Sequence, residues 1–156
     1  LGLTIGTLTA AGVSGLVTGL GVVASAGATV VSGRVSDTVD SRAVVTLPGF
    51  ALLAAGYALL ALSGTLTGVT AGIVLVGAGT GAVGPALLAT LGDIAPGDEL
   101  GRLAGVYNVF GDIGLSVGPL AALPIAEAVG FTPTYLSCAG VAVACLLLVN
   151  ATLLKA

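Results

Sequence analysis

The sequence predicts an all-α integral membrane protein, a five-helix partial bundle, and three observations carry that prediction. Only four basic and seven acidic residues occur among 156, and 56% are hydrophobic. Soluble domains carry roughly 25% charged residues; at 7% this chain cannot cover a water-facing surface, so its surface must face lipid. Most charges fall into two clusters, Arg34, Asp37, Asp40 and Arg42, then Asp93, Asp98, Glu99 and Arg102. The apolar stretches between and around them, 1–33, 43–92 and 103–154, match multiples of the roughly 20 helical residues that cross a hydrocarbon core.

The first helix is expected near 12–33, because 1–33 holds one span and a leader before the first charged cluster. The stretch 43–92 holds two, near 43–62 and 69–91, with Ser63-Gly64-Thr65-Leu66-Thr67-Gly68 as the turn. The stretch 103–154 is broken only by Asp112 and Glu127. It holds two more spans, near 103–127 and 134–154, turning at Val129-Gly130-Phe131-Thr132-Pro133. Five spans put the loops 34–42 and 93–102 and the C-terminus on one face. Arg34, Arg42, Arg102 and Lys155 all lie there, and basic residues mark the cytoplasmic side. A multi-pass protein of the plasma membrane with a cytoplasmic C-terminus is the expectation. With Leu1 at the start, no Met and the N-terminus outside, the chain reads as a fragment whose upstream spans are missing.

Composition also excludes several function classes. A net charge of −3 with one Lys gives no basic patch for nucleic acid. The absence of His removes Ser-His triads, His-based metal sites and His proton relays, and no cofactor or metal is expected. Cys138 and Cys145, seven residues apart on one helix, are separated by roughly 10 Å, too far for a disulfide. Gly is frequent at 26 residues, which suits close approach of membrane helices.

One local pattern points elsewhere. Ile73-Val74-Leu75-Val76 followed by Gly79-x-Gly81-x-x-Gly84 reads like a strand and a dinucleotide-binding turn, with Asp98 or Glu99 near the distance for a ribose-binding acid. The acid would have to end a second strand, but it sits in the polar turn Gly92-Asp93-Ile94-Ala95-Pro96-Gly97-Asp98. A glycine-rich membrane helix packed on a neighbour explains Gly77, Gly81 and Pro85 equally well. The nucleotide-binding reading is the lesser alternative to the membrane one.

The first cytoplasmic loop, Gly33-Arg34-Val35-Ser36-Asp37-Thr38-Val39-Asp40-Ser41-Arg42, resembles the signature loop of the major facilitator superfamily, G-[basic]-L-[small]-D-[basic]-x-G-R-[basic]. Gly33, Arg34, Ser36, Asp37 and Arg42 match; Thr38, Asp40 and Ser41 depart from it. Asp93-x-x-Pro96 with Gly101-Arg102-x-x-Gly105 is similar to the family's segment joining the fourth and fifth spans of either half. Gly114-x-x-x-Gly118-Pro119 is similar to the G-x-x-x-G-P stretch that follows. The three pieces occur in family order over 33–119. The resemblance implies a secondary transporter of a small molecule, built as two six-helix halves that alternate access. The chain would supply five spans of one half, either 2–6 or 8–12, with 8–12, part of the C-terminal half, the favoured placement and the missing half as its partner. The family's G-x-x-x-G-P element is associated with antiporters and implies efflux or proton coupling; Ala121 and Ala122 replace the glycine pair that follows it there. A non-transport helical membrane subunit is the alternative.

Candidate functional residues follow. The resemblance implies that Asp37 caps a helix N-terminus of the opposite half, closing a cytoplasmic gate with Gly33, Arg34 and Arg42. Gly33 is expected to permit a tight helix exit. Asp112 falls near the middle of the fourth span, where an acid costs at least about 2.5–3.5 kcal/mol and usually faces a cavity, ion path or partner. Asn108, one turn earlier, is placed to orient it, and Tyr107 and Ser116 are candidates for the same wall. Asp112, Asn108 and Tyr107 form the expected substrate or proton site, balanced against a purely structural acid. Gly114, Gly118 and Pro119 predict a close helix contact and a kink. Gly12, Gly15 and Gly19 offer a second packing face.

Overall fold

The computed structural model describes residues 4–5, 8–39, 42–96 and 99–152; Asp40, Asp98 and Lys155, on which the topology and motif arguments drew, lie outside the described residues. Five helices follow one another: α1 (Ala10–Ser36), α2 (Thr46–Leu62), α3 (Leu66–Ile94), α4 (Leu100–Val129) and α5 (Phe131–Thr152). Four of them are long and apolar enough to cross a membrane. The exception, α2, has 17 residues, about 26 Å against a core of about 30 Å. A 3-10 turn, Arg42–Val45, leads into α2 and adds about 2 Å per residue. Pro48 sits in the first turn of α2, where no helical donor is required.

The helix ends differ from expectation for identifiable reasons. α1 runs through Gly33 to Ser36, so the tight exit at Gly33 does not occur. Arg34 in the last turn complements the negative end of the helix dipole. α3 begins at Leu66 because Thr65 caps it, its hydroxyl accepting the Gly68 N–H at 3.2 Å. The expected five-residue turn after α4 shrinks to Gly130, whose φ of +95° lets the chain reverse in one residue. Thr132 and Pro133 are already helical. Ahead of α1, β1 (Thr4–Ile5) pairs antiparallel with β2 (Leu8–Thr9). The sequence suggested no sheet; three of the four ladder residues, Thr4, Ile5 and Thr9, are β-branched and favour extended backbone, and the all-α class is unchanged.

α3 is the axis of the bundle, packed against α1 on one side and α2 on another, with α5 behind α2. Its glycines make this possible. A methyl added at Gly77 or Gly81 would collide with the backbone of Gly21 or Ser25 in α1. On the α2 side, a methyl at Gly79 would lie 2.8 Å from the Gly49 oxygen, and one at Gly56 would lie 2.9 Å from the Gly72 oxygen. Contacts with α1 advance in step along both helices, so the pair is parallel; contacts with α2 run in opposite order, so that pair is antiparallel. Gly15 and Gly19 meet nothing within 4 Å; the face of α1 that packs carries Gly21, Ser25 and Ser32 instead.

Ile73–Val76, the segment a dinucleotide fold needs as a strand, lies inside α3. Gly79 packs on α2 and Gly81 on α1, so the nucleotide-binding reading is overturned: no phosphate can approach glycines already covered by neighbouring helices. Phe110, Leu115 and Leu120 are 70%, 77% and 74% exposed, and every helix displays large apolar side chains outward. Such a surface is stable only in lipid.

Candidate functional site

Three interhelical hydrogen bonds end on one short stretch of α3. The Thr29 hydroxyl of α1 lies 3.1 Å from the Gly81 oxygen, sharing its proton with the Ser25 oxygen at 2.9 Å. The Ser32 hydroxyl donates to the Ala82 oxygen at 2.7 Å. The Tyr107 hydroxyl of α4 reaches the Gly84 oxygen at 3.4 Å. Pro85 lies inside α3 and has no N–H, so it cannot bond the Gly81 carbonyl four residues back. Thr29 supplies the donor that Pro85 withholds. Thr29 and Ser32 were not singled out from the sequence, and Gly84 only as part of the nucleotide-binding pattern. The available signal was the spacing of Gly21, Ser25, Thr29 and Ser32, a small and hydroxylated stripe at helical period.

α4 stands apart from the other helices. Its first turns meet α3, its last turns meet α5, and residues 108–121 between them are all exposed. Gly114 and Gly118 therefore meet nothing within 4 Å, and the close contact expected there is absent among the described residues. The helix continues through Pro119 and Pro124. Each proline leaves a carbonyl, of Leu115 and Leu120, without its helical donor.

Asp112 and Asn108 are both exposed in this stretch. Asp112 has no hydrogen bond or ion pair among the described residues. It lies about 18 Å along the helix from Leu100, far from the arginines at the ends of α1 and α4. At 100° per residue, Asn108, Asp112, Leu115, Pro119, Ala122 and Ala126 share one stripe. Ala126 is 5% exposed, so the far end of that stripe turns toward the bundle. Tyr107 is not brought together with Asp112: it sits about 140° around the helix, bonded to α3.

A cavity of about 380 Å³ lies between α2, α3 and α5, lined by Phe50, Tyr57, Thr80, Ser137, Cys138 and Cys145 among others. Thr80 shares its side of α3 with Leu87 and Leu91, which face Leu103 and Tyr107 of α4 across a second cavity. Cys138 and Cys145 are free thiols, half-buried.

At the first charged loop, Asp37 follows the end of α1, its N–H donating to the Gly33 oxygen at 3.2 Å. Asp37 and Arg34 are exposed, and neither has an ion-pair partner among the described residues. Arg42 opens the 3-10 turn. In the second charged loop Arg102 pairs with Glu99 at 3.4 Å across an exposed helical turn. Such a pair contributes at most about 1 kcal/mol.

The family model described as Major Facilitator Superfamily matches residues 2–155. No curated protein and no solved structure matches the chain.

Proposed function

Because the chain belongs to the major facilitator superfamily, we propose that it forms part of the C-terminal half of a secondary active transporter of a small molecule. In this reading Asp112, with Asn108 one turn before it, binds a proton or a cationic substrate. The observation that carries it is an acid near the middle of a membrane helix with no partner among the described residues, on the stripe that leads to buried Ala126. An unpaired carboxylate facing lipid costs at least about 2.5–3.5 kcal/mol. A cation or proton arriving in a water-filled cavity removes that cost. The carbonyls of Leu115 and Leu120, which Pro119 and Pro124 deprive of their usual helical donor, supply further polar edges to such a path.

The rest of the machinery follows from the two charged loops. Asp37 sits at the negative end of the α1 dipole, an unfavourable place for an acid unless it serves a partner elsewhere. The positive N-terminus of a helix in the missing half is that partner, and the contact closes the cytoplasmic side in one state of alternating access. Arg34 and Arg102 at one end of the helices support a cytoplasmic assignment of that face, in this reading at the plasma membrane.

The test uses the full-length protein in proteoliposomes, with ethidium as a lipophilic cation and a pH-sensitive dye reporting proton flux. Asp112→Asn is expected to abolish the coupled flux while expression and insertion stay at wild-type level. Unchanged flux in that variant makes Asp112 structural.

A further inference from the structure

The hold of α4 on the rest of the bundle is uneven. α1 and α3 are joined by backbone contact at Gly77 and Gly81 and by the Thr29 and Ser32 hydroxyls. Among the described residues, α4 meets α3 through apolar side chains and one hydroxyl, that of Tyr107 on the Gly84 oxygen. At 3.4 Å this bond is long for an O–H donor, which settles near 2.7–2.8 Å. Directly beside it lies a cavity of about 390 Å³ between Leu87, Leu91 and Ile94 of α3 and Leu103, Val106 and Tyr107 of α4. An apolar void next to a weak polar tie gives the first turns of α4 room to move without exposing new polar groups.

We propose that Tyr107 is a positioning residue: its hydroxyl latches the N-terminal end of α4 to the Gly84 carbonyl, while α1 and α3 move as one rigid pair. Releasing the latch lets the first turns of α4 shift into the adjacent cavity, and the shift carries residue 112 with it. The glycine-to-backbone contacts and the Thr29 bond at the Pro85 break keep α1 and α3 from separating in the same motion. This holds whatever Asp112 binds, so the latch and the Asp112 assignment fail independently.

The experiment places nitroxide labels in the full-length protein freed of its native cysteines. One pair joins α3 to α4, Gly92→Cys with Gly105→Cys; the other joins α1 to α3, Gly33→Cys with Gly92→Cys. All three glycines face open space. Tyr107→Phe keeps the ring and deletes the hydroxyl. A hydrogen bond between membrane helices averages about 0.6 kcal/mol, so its loss is expected to raise the unlatched α3–α4 population about threefold. The α1–α3 distance distribution is expected to stay unchanged, and Thr29→Val with Ser32→Ala to broaden the α1–α3 pair instead. An α3–α4 distribution identical to wild type in Tyr107→Phe overturns the latch. So does an equal change in both pairs, which marks general loosening.

Discussion

Thr29 of α1 sits 3.1 Å from the Gly81 oxygen of α3, the carbonyl that Pro85 leaves without a helical donor. A break in one helix is thus the point of attachment of another. The proline, which costs a soluble helix about 3 kcal/mol or more, here frees an acceptor for an interhelical bond that would otherwise compete with the helix itself.

That coupling is open to a double-mutant cycle. Thr29→Val is expected to destabilise the full-length protein by about 0.5–1.5 kcal/mol. In a Pro85→Ala background the Gly81 carbonyl regains its helical donor, and the Thr29→Val cost is expected to fall toward zero. Unfolding in mixed micelles measures both; equal costs in the two backgrounds refute the link.

Glycine substitutions should divide sharply. Gly77→Ala and Gly81→Ala force a methyl into the α1 backbone and are expected to cost about 1–3 kcal/mol or more. Gly84→Ala and Gly118→Ala meet open space and should be neutral or slightly stabilising through helix propensity. The same unfolding titration ranks all four.

Gly130→Ala tests the reversal between α4 and α5. With φ at +95° and ψ at 161°, the backbone occupies a region essentially restricted to glycine, and a side chain is expected to cost about 1–3 kcal/mol. A drop in midpoint close to that of Gly64→Ala, at an open turn position, contradicts it.

Sidedness is read by thiol labelling in a background with Cys138 and Cys145 replaced by Ser. Thr38→Cys and Leu66→Cys lie at opposite ends of the helices and should react with a membrane-impermeant maleimide from opposite sides. Equal reactivity from outside removes the topology and, with it, the cytoplasmic latch at Asp37.

Helix number and turn positions were legible because lipid imposes two simple demands: length and lack of charge. The glycine contacts of Gly77 and Gly81 were legible for a related reason, since small residues in a span have few other uses. Helix ends were less so. Arg34 reads as loop in a charge pattern, yet a basic residue is at home in the last turn of α1. The candidate site was legible only as a list. Nothing in the spacing of Tyr107, Asn108 and Asp112 says which of the three turns toward α3, because that depends on how α4 leans against its neighbours. The standing-off of α4 between its two ends is a property of packing, and the stretch 103–129 reads like any other span.

The glycine-rich make-up of α3 also bears on the order in which the bundle forms. Seven of its 29 residues are glycine; lipid enforces its helical backbone, but its close-packed position depends on α1 and α2. Those two helices precede α3 in the chain, yet each packs chiefly on it. Packing of α1 and α2 on α3 must therefore wait until about residue 94 has been synthesised and then proceed on both sides at once. A chain stalled before that point displays two helices with uncovered small-residue faces, the kind of surface by which membrane quality control would recognise an unfinished protein.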